Sequence, residues 1–352
     1  MITVHGGLDE AELRSLGLRP DEALDFSANI NPLGPSDRVR QAAIEAELSA
    51  YPDRSSLALR EALATRLDVG IDSLMVGNGS TELIHLLARA CLNPGDRCLI
   101  FAPTFGEYEA AAMIAGAEVH LFRAEKTQGF RWPIDSAVRI IEETRPSMVF
   151  LCNPNNPTGV YLGRDEVQRL FRAMDGRGLL ALDDAYVPLA DWRWDSLSLL
   201  DSGNVAILRS MTKDHALAGV RLGYMVAESK IVSAVRQLQP AWSVNAVAQA
   251  VGVAALKDEA HAEAGREIIS KAKRYLYREL STLGIPITTS AANFVLAEVG
   301  NAAEVRSALL RRGIVVRDCA SFDLPEYIRV AARLPEECAQ LVASLREVLG
   351  HE

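Results

Sequence analysis

Between residues 73 and 227 the chain alternates short apolar runs with amphipathic stretches. The runs fall at 73–76, 97–101, 118–122, 147–151, 178–182, 205–208 and 224–227, and segments of helical periodicity, such as 81–91 and 107–115, separate most of them. Strands apolar on both faces are covered on both faces, so this alternation predicts an α/β unit built on a largely parallel sheet. Ahead of it, Ser36 is a predicted N-cap for a helix through Val39 and Ile44.

Beyond Val244 the pattern changes. A long helix is predicted over 266–283, with Ile269, Ala272, Leu276 and Leu280 on one face and Gly284 and Pro286 stopping it. Short strands at 293–297, 314–317 and 327–330, with a helix near 303–312, then predict a smaller α+β domain joined by the N-terminal segment. The expected division is a large domain over 36–254, with 1–35 and 255–352 forming an arm and a small domain. No repeat or low-complexity tract interrupts the chain.

Composition narrows the functional classes. Of 352 residues, 49% are hydrophobic and 24% charged, enough for a sizeable core without disulfides or metals. The net charge of −9, with no basic run, argues against nucleic acid and anionic membranes. Any anionic ligand must therefore meet a local cluster of donors. Cys91, Cys98, Cys152, Cys319 and Cys338 are odd in number and form no Cys-x-x-Cys pair. That pattern predicts buried free thiols, no metal site and a reducing cytoplasm. The N-terminal residues lack a secretory pattern, and no apolar run reaches membrane-spanning length.

Candidate chemistry gathers where predicted strands end, the edge at which open α/β sheets place ligands. Asn153 to Gly159 follow one strand, Asp183 ends another, and Lys213 follows a third. Gly77-Asn78-Gly79-Ser80-Thr81 joins a strand to a helix whose free amides suit an anion. Glu82 stands where a dinucleotide fingerprint needs glycine, and no Gly-Lys pair marks a Walker loop. A lysine desolvated beside other cations loses its proton and attacks carbonyls, which suits Lys213, while Thr212 and Arg221 add phosphate donors. Asp183 suits a pyridinium partner. At ~4 Å and an effective dielectric near 20 that attraction is about 4 kcal/mol, or roughly three pKa units on the ring nitrogen.

Asn153-Pro154-Asn155-Asn156-Pro157-Thr158-Gly159, Asp183-Asp184-Ala185-Tyr186 and Thr212-Lys213 with Arg221 resemble the signature set of fold-type I pyridoxal-phosphate enzymes, the class I/II aminotransferase superfamily. The resemblance spans nearly the whole chain. It implies pyridoxal 5'-phosphate as cofactor, Lys213 as the Schiff-base lysine and proton carrier, and Asp183 as the partner of the ring nitrogen. It also implies that Asn156 and Tyr186 bond the ring hydroxyl oxygen, and that Phe105 stacks on the ring. Gly79, Ser80, Thr81, Thr212 and Arg221 would form the phosphate cup, and Arg329 would clamp a substrate carboxylate.

Within that group, His5-Gly6-Gly7, the 24–34 segment containing Asn29, and Arg329-Val330-Ala331-Ala332-Arg333 look like threonine-phosphate decarboxylase of cobalamin biosynthesis. That likeness makes His5 and Arg317 receivers of a substrate phosphate, with Tyr51 reaching over from the second subunit of a homodimer. The expected reaction is then decarboxylation of L-threonine O-3-phosphate to aminopropanol phosphate. Histidinol-phosphate aminotransferase, using 2-oxoglutarate and glutamate, is the alternative; it shares the phosphate cup, Tyr51 and Ala218-Gly219. Tyr186 stands where the decarboxylases carry phenylalanine, and Asp214-His215 resembles neither relative.

Overall fold

The computed structural model of the protein describes residues 6–350. Its strands, in chain order, are β1 (Leu24–Asp25), β2 (Leu74–Asn78), β3 (Arg97–Ala102), β4 (Glu118–Arg123), β5 (Met148–Cys152), β6 (Leu179–Asp183), β7 (Val205–Ser210) and β8 (Leu222–Ala227). The C-terminal part adds β9 (Ile287–Thr288), β10 (Phe294–Glu298), β11 (Ile314–Val315), β12 (Arg317–Asp318) and β13 (Tyr327–Ala331).

Seven strands form the large sheet in the order β2-β8-β7-β6-β5-β3-β4. All neighbouring pairs from β7 to β4 are parallel, and only β8 runs against both its neighbours. The period-two alternation sends Ile100, Phe150 and Leu208 to one face, packed with Leu83 and Leu87 of the helix Gly79–Cys91. Leu99, Val149 and Ile207 go to the other, against Ile141 of Ile134–Thr144 and Leu170 of Arg164–Ala173. Helices therefore cover both faces, as the uninterrupted apolar runs require. Only the edge strand β4 is half-buried along its middle.

A four-stranded antiparallel sheet, β12-β13-β10-β9, packs against the long helix Glu259–Thr282. Ile269, Ala272, Leu276 and Leu280 are buried there as the periodicity predicts. Gly284, at φ 68°, closes the helix with its amide on Ser281 and that of Ile285 on Leu280. Phe26 belongs to this core, and β1 pairs in parallel with β11, so the N-terminal segment is sewn into the small domain. Ser36 caps its helix as predicted, accepting the Val39 amide.

One prediction is corrected. The run 314–317 is two strands, not one: β11 pairs with β1, and after Val316 the chain passes to β13 as β12. The apolar run Ile314 to Val316 passes directly into Arg317, and a change of strand partner leaves no mark on such a short pattern. The switch delivers Arg317 to the cleft between the two sheets.

No helix among the described residues is long and apolar enough to cross a membrane. Among those residues, no group of three or more His, Cys, Asp or Glu side chains is arranged to hold a metal ion.

Candidate active site

The ends of β2, β5, β6 and β7 lie along one edge of the large sheet, because β2 and the parallel strands point the same way. A cavity of about 370 Å³ opens there, walled on its far side by the N-terminal segment and by Arg317 and Arg329 of the small domain. It gathers Ser80, Thr81, Phe105, Asn156, Asp183 and Tyr186 with Thr212, Lys213 and Arg221. These come from segments spread over more than a hundred residues of chain. The sheet edge is what brings them together.

One end of the cavity has the features that suit an anion. Gly79, at φ 76°, opens the helix Gly79–Cys91, and a Cβ there would lie 2.7 Å from Arg221 Nη2. A Cβ on Gly223 would lie 2.5 Å from the Ser80 nitrogen. Glycine at both positions lets the β8 backbone and Arg221 close on the helix N-terminus, where free amides and a partial positive charge favour an anion. Glu82, the residue that breaks the dinucleotide pattern, instead braces the turn by accepting the Asn78 amide at 2.7 Å. Ser210 was not singled out from sequence. Its hydroxyl lies 2.7 Å from Thr212 Oγ1 and it lines the same cavity. The two-residue spacing after an extended strand is the signal that would have found it.

At the floor stands Asp183, buried, with Oδ1 accepting the Ala185 amide at 2.9 Å and Oδ2 accepting the Tyr108 hydroxyl at 2.7 Å. Burial raises its pKa, opposed by those two hydrogen bonds and by the Lys213 charge. Asp184 points away and serves a different purpose. It is held by Ser196 and lies 3.6 Å from Arg209, and burial lifts it to about 6.

Lys213 faces the cavity, its Nζ 5.9 Å from the centre of the Tyr186 ring. Removal from water, with the charges of Arg329 and Arg221 adding to it, lowers its pKa from 10.5 to about 8. Tyr186 is pushed the other way, to about 12, chiefly by burial, so it stays a neutral hydroxyl. Asn29 Nδ2 donates to that hydroxyl at 3.2 Å, while Asn29 Oδ1 is buried with no partner among the described residues.

Arg329 reaches across from β13. Its Nη1 donates to Asn156 Oδ1 and its Nη2 to the Ser27 carbonyl at 2.6 Å, and its Nε is buried with no partner among the described residues. Arg317 lies beside it, buried, with Nη2 donating to Ser321 Oγ at 2.6 Å. Two expected residues are not placed in this cavity. His5 lies outside the described residues. Tyr51 is 80% exposed and stacks on Trp242 at 4.5 Å, away from its own chain's cavity.

The donor set matches one kind of group: an anion cup, a buried carboxylate, an activated amine, and polar side chains between them. Orphaned polar atoms at Asn29 and Arg329 fit a polar ligand filling the space. Fold and site together define a pyridoxal-phosphate enzyme of fold type I. The chain belongs to the aminotransferases of class I and II, whose family pattern it matches over residues 21–345. It is 38% identical over 342 residues to the histidinol-phosphate aminotransferase of Symbiobacterium thermophilum, covering 96% of this chain and 93% of that one. Its fold matches the histidinol-phosphate aminotransferase of Sinorhizobium meliloti, solved with pyridoxal-5'-phosphate, at a TM-score of 0.90, with 24% identity over 98% of this chain and 95% of that one. The L-threonine-O-3-phosphate decarboxylase of Porphyromonas gingivalis matches at 0.81, with 26% identity over 92% and 99%.

Proposed function

We propose that this aminotransferase works on histidinol phosphate or a closely related phosphorylated amine, with 2-oxoglutarate as the amino acceptor. The observation that carries this reading is the end-to-end likeness to histidinol-phosphate aminotransferases. It moves the balance away from the decarboxylation that the N-terminal motif suggested. Tyr186, with its hydroxyl in the site and Asn29 bonded to it, agrees with that move.

In this reading Ser80, Thr81, Ser210, Thr212 and Arg221 bind the cofactor phosphate, Phe105 covers the ring, and Asn156 and Tyr186 hold its hydroxyl oxygen. Asp183 pairs with the ring nitrogen. When bound, pyridoxal phosphate supplies a protonated ring that accepts an electron pair from the substrate α-carbon. Lys213 would hold the cofactor through Nζ, and the same amine would carry a proton to and from the substrate α-carbon. Arg329 grips the carboxylate of glutamate or 2-oxoglutarate. Arg317, with His5, receives the substrate phosphate.

Threonine-phosphate decarboxylase is the second reading, favoured by the solved decarboxylase and by the 24–34 segment. Both substrates join an amine head to an anionic tail, so one assay separates them. Protein incubated with histidinol phosphate and 2-oxoglutarate is expected to yield glutamate, and with threonine phosphate to release no carbon dioxide. The converse result reverses the assignment. Arg317→Ala is expected to raise KM for the phosphorylated substrate about ten- to a hundredfold, the scale of a charge-assisted hydrogen bond. Histidinol itself should be affected far less; equal losses would remove the phosphate role.

The homodimer belongs to the same proposal. Ile44, Leu48 and Tyr51 are each at least 78% exposed, near Trp242 at 43%. Such an apolar patch suits a second copy, which would carry Tyr51 to the neighbouring cavity. Sedimentation equilibrium should give twice the chain mass, and a monomer that remains active would exclude a contribution from Tyr51. We assign residues 36–254 to the cofactor-binding unit and the arm and remainder to the closing unit. A core drawn from Phe26 and residues beyond 255, apart from Leu189, supports the second, while Ala292 and Phe294 pack into the first. Five free cysteines, four of them buried, support a reducing cytoplasm.

A further inference from the structure

Tyr108 has no part in the roles given above, yet its hydroxyl is bonded to Asp183, the acid assigned to the ring nitrogen. It is the second residue of the helix Glu107–Ile114 and is 1% exposed. Its ring stacks on Phe150 at 5.1 Å with a 17° interplanar angle, and meets Phe105 edge-on at 5.7 Å. The phenol held between these contacts donates to Asp183 Oδ2 at 2.7 Å, with the Cys152 thiol also at its oxygen.

Asp183 needs such a partner. A buried carboxylate tends to take up a proton, and a protonated Asp183 cannot hold the ring nitrogen's hydrogen as an ion pair. The protein opposes this with the Ala185 amide on one oxygen and the Tyr108 hydroxyl on the other. The amide is fixed by the backbone. Among the described residues Tyr108 is the only side chain that donates a hydrogen bond to Asp183. Burial, followed by the Asp183 charge itself, raises the Tyr108 pKa well above its ordinary value, so the phenol remains a donor throughout the working range. One donor on each oxygen also fixes the plane of the carboxylate and leaves a lone pair of Oδ2 for a ligand.

We propose that Tyr108 is a positioning residue that aims the Asp183 carboxylate at the cofactor's ring nitrogen and keeps it an acceptor, thereby setting the strength of the electron sink. The proposal rests on the assignment of Asp183 to the ring nitrogen. Tyr108→Phe keeps the ring and both aromatic contacts and removes one oxygen atom. It is expected to lower kcat about ten- to a hundredfold, the scale of one hydrogen bond to a charged group, with KM within about twofold. The decisive readout is the 15N resonance of the holoenzyme reconstituted with cofactor labelled at the ring nitrogen. In Tyr108→Phe that resonance should move toward the unprotonated pyridine position.

An unmoved resonance overturns the proposal, whatever happens to turnover. Asp183→Ala run in parallel separates this failure from that of the underlying assignment. If Asp183→Ala leaves the resonance in place, Asp183 is not the ring partner and both ideas fall. If Asp183→Ala moves it and Tyr108→Phe does not, only the role of Tyr108 is lost. The effects of the two changes should also not add, since Tyr108 acts through Asp183. Should the phenylalanine variant fail to fold, 3-fluorotyrosine at position 108 retains the ring and makes the hydroxyl more acidic. A ring-nitrogen signal indifferent to that substitution is equally fatal.

Discussion

Lys213→Ala is expected to lose the borohydride-fixable cofactor adduct and to lower turnover by about 10⁴-fold, the upper range for a positioned acid–base group. Among the described residues no other lysine lines the cavity. The buried Lys273 is held by Asp191 and the Ser290 carbonyl at 2.7 Å each. Mass spectrometry after borohydride treatment reads the adduct directly; if the alanine variant retains it, Lys213 is misassigned. The native protein offers a second check, because only the neutral amine attacks an aldehyde. Burial first, then the charges of Arg329 and Arg221, bring this amine to about 8. Roughly a tenth is therefore neutral at pH 7, and capture of the cofactor by the apoprotein should rise with pH and level off above about 9. A rate still climbing through pH 10 would show that the amine sits in an ordinary environment.

Asp183→Ala should cost at least ~100-fold in turnover while leaving the fold intact. The carboxylate is the one acid on the cavity floor, and Asp184 cannot replace it. That side chain is turned to Arg209 and Ser196 on the opposite side of the strand end. The loss should appear mainly in kcat, because the ring's charge matters most when the α-carbon carries excess electrons. The variant also strands the Tyr108 hydroxyl in the core, a penalty of about 1–3 kcal/mol that urea unfolding would register. Near-normal turnover in a well-folded Asp183→Ala protein would refute its role.

Much of the site was legible because it is written locally. Strand ends can be read from where apolar alternation stops, and in a parallel sheet those ends share an edge. Asp183 ends β6, Asn153 follows β5, and Lys213 lies three residues past β7, so three chain-distant groups were placed together without any tertiary information. The glycines of the phosphate cup were legible for a related reason. Gly79 sits at a strand-to-helix turn that needs a positive φ and a close approach, and both demands follow from the turn itself.

What lay beyond the pattern were contacts whose partners are far apart in sequence and whose direction depends on rotamers. The Tyr108 hydroxyl meets Asp183 75 residues away, and Arg329 meets the Ser27 carbonyl 302 residues away. Periodicity places Tyr108 on a buried helix face, where an aromatic ring reads as core, and says nothing of where its oxygen points. The same holds for the break between β11 and β12, where Ile314 to Val316 read as one strand running on into Arg317 and nothing local marks the change of partner. Sequence alone thus determined the fold class through the spacing of its apolar runs, and the cofactor through a family resemblance carried by motifs at strand ends and turns. Both are written in local stretches of chain. Only the tertiary structure decided which side chains brace the carboxylate and which close the far wall. Those choices are made by packing between elements, which no local stretch of chain encodes.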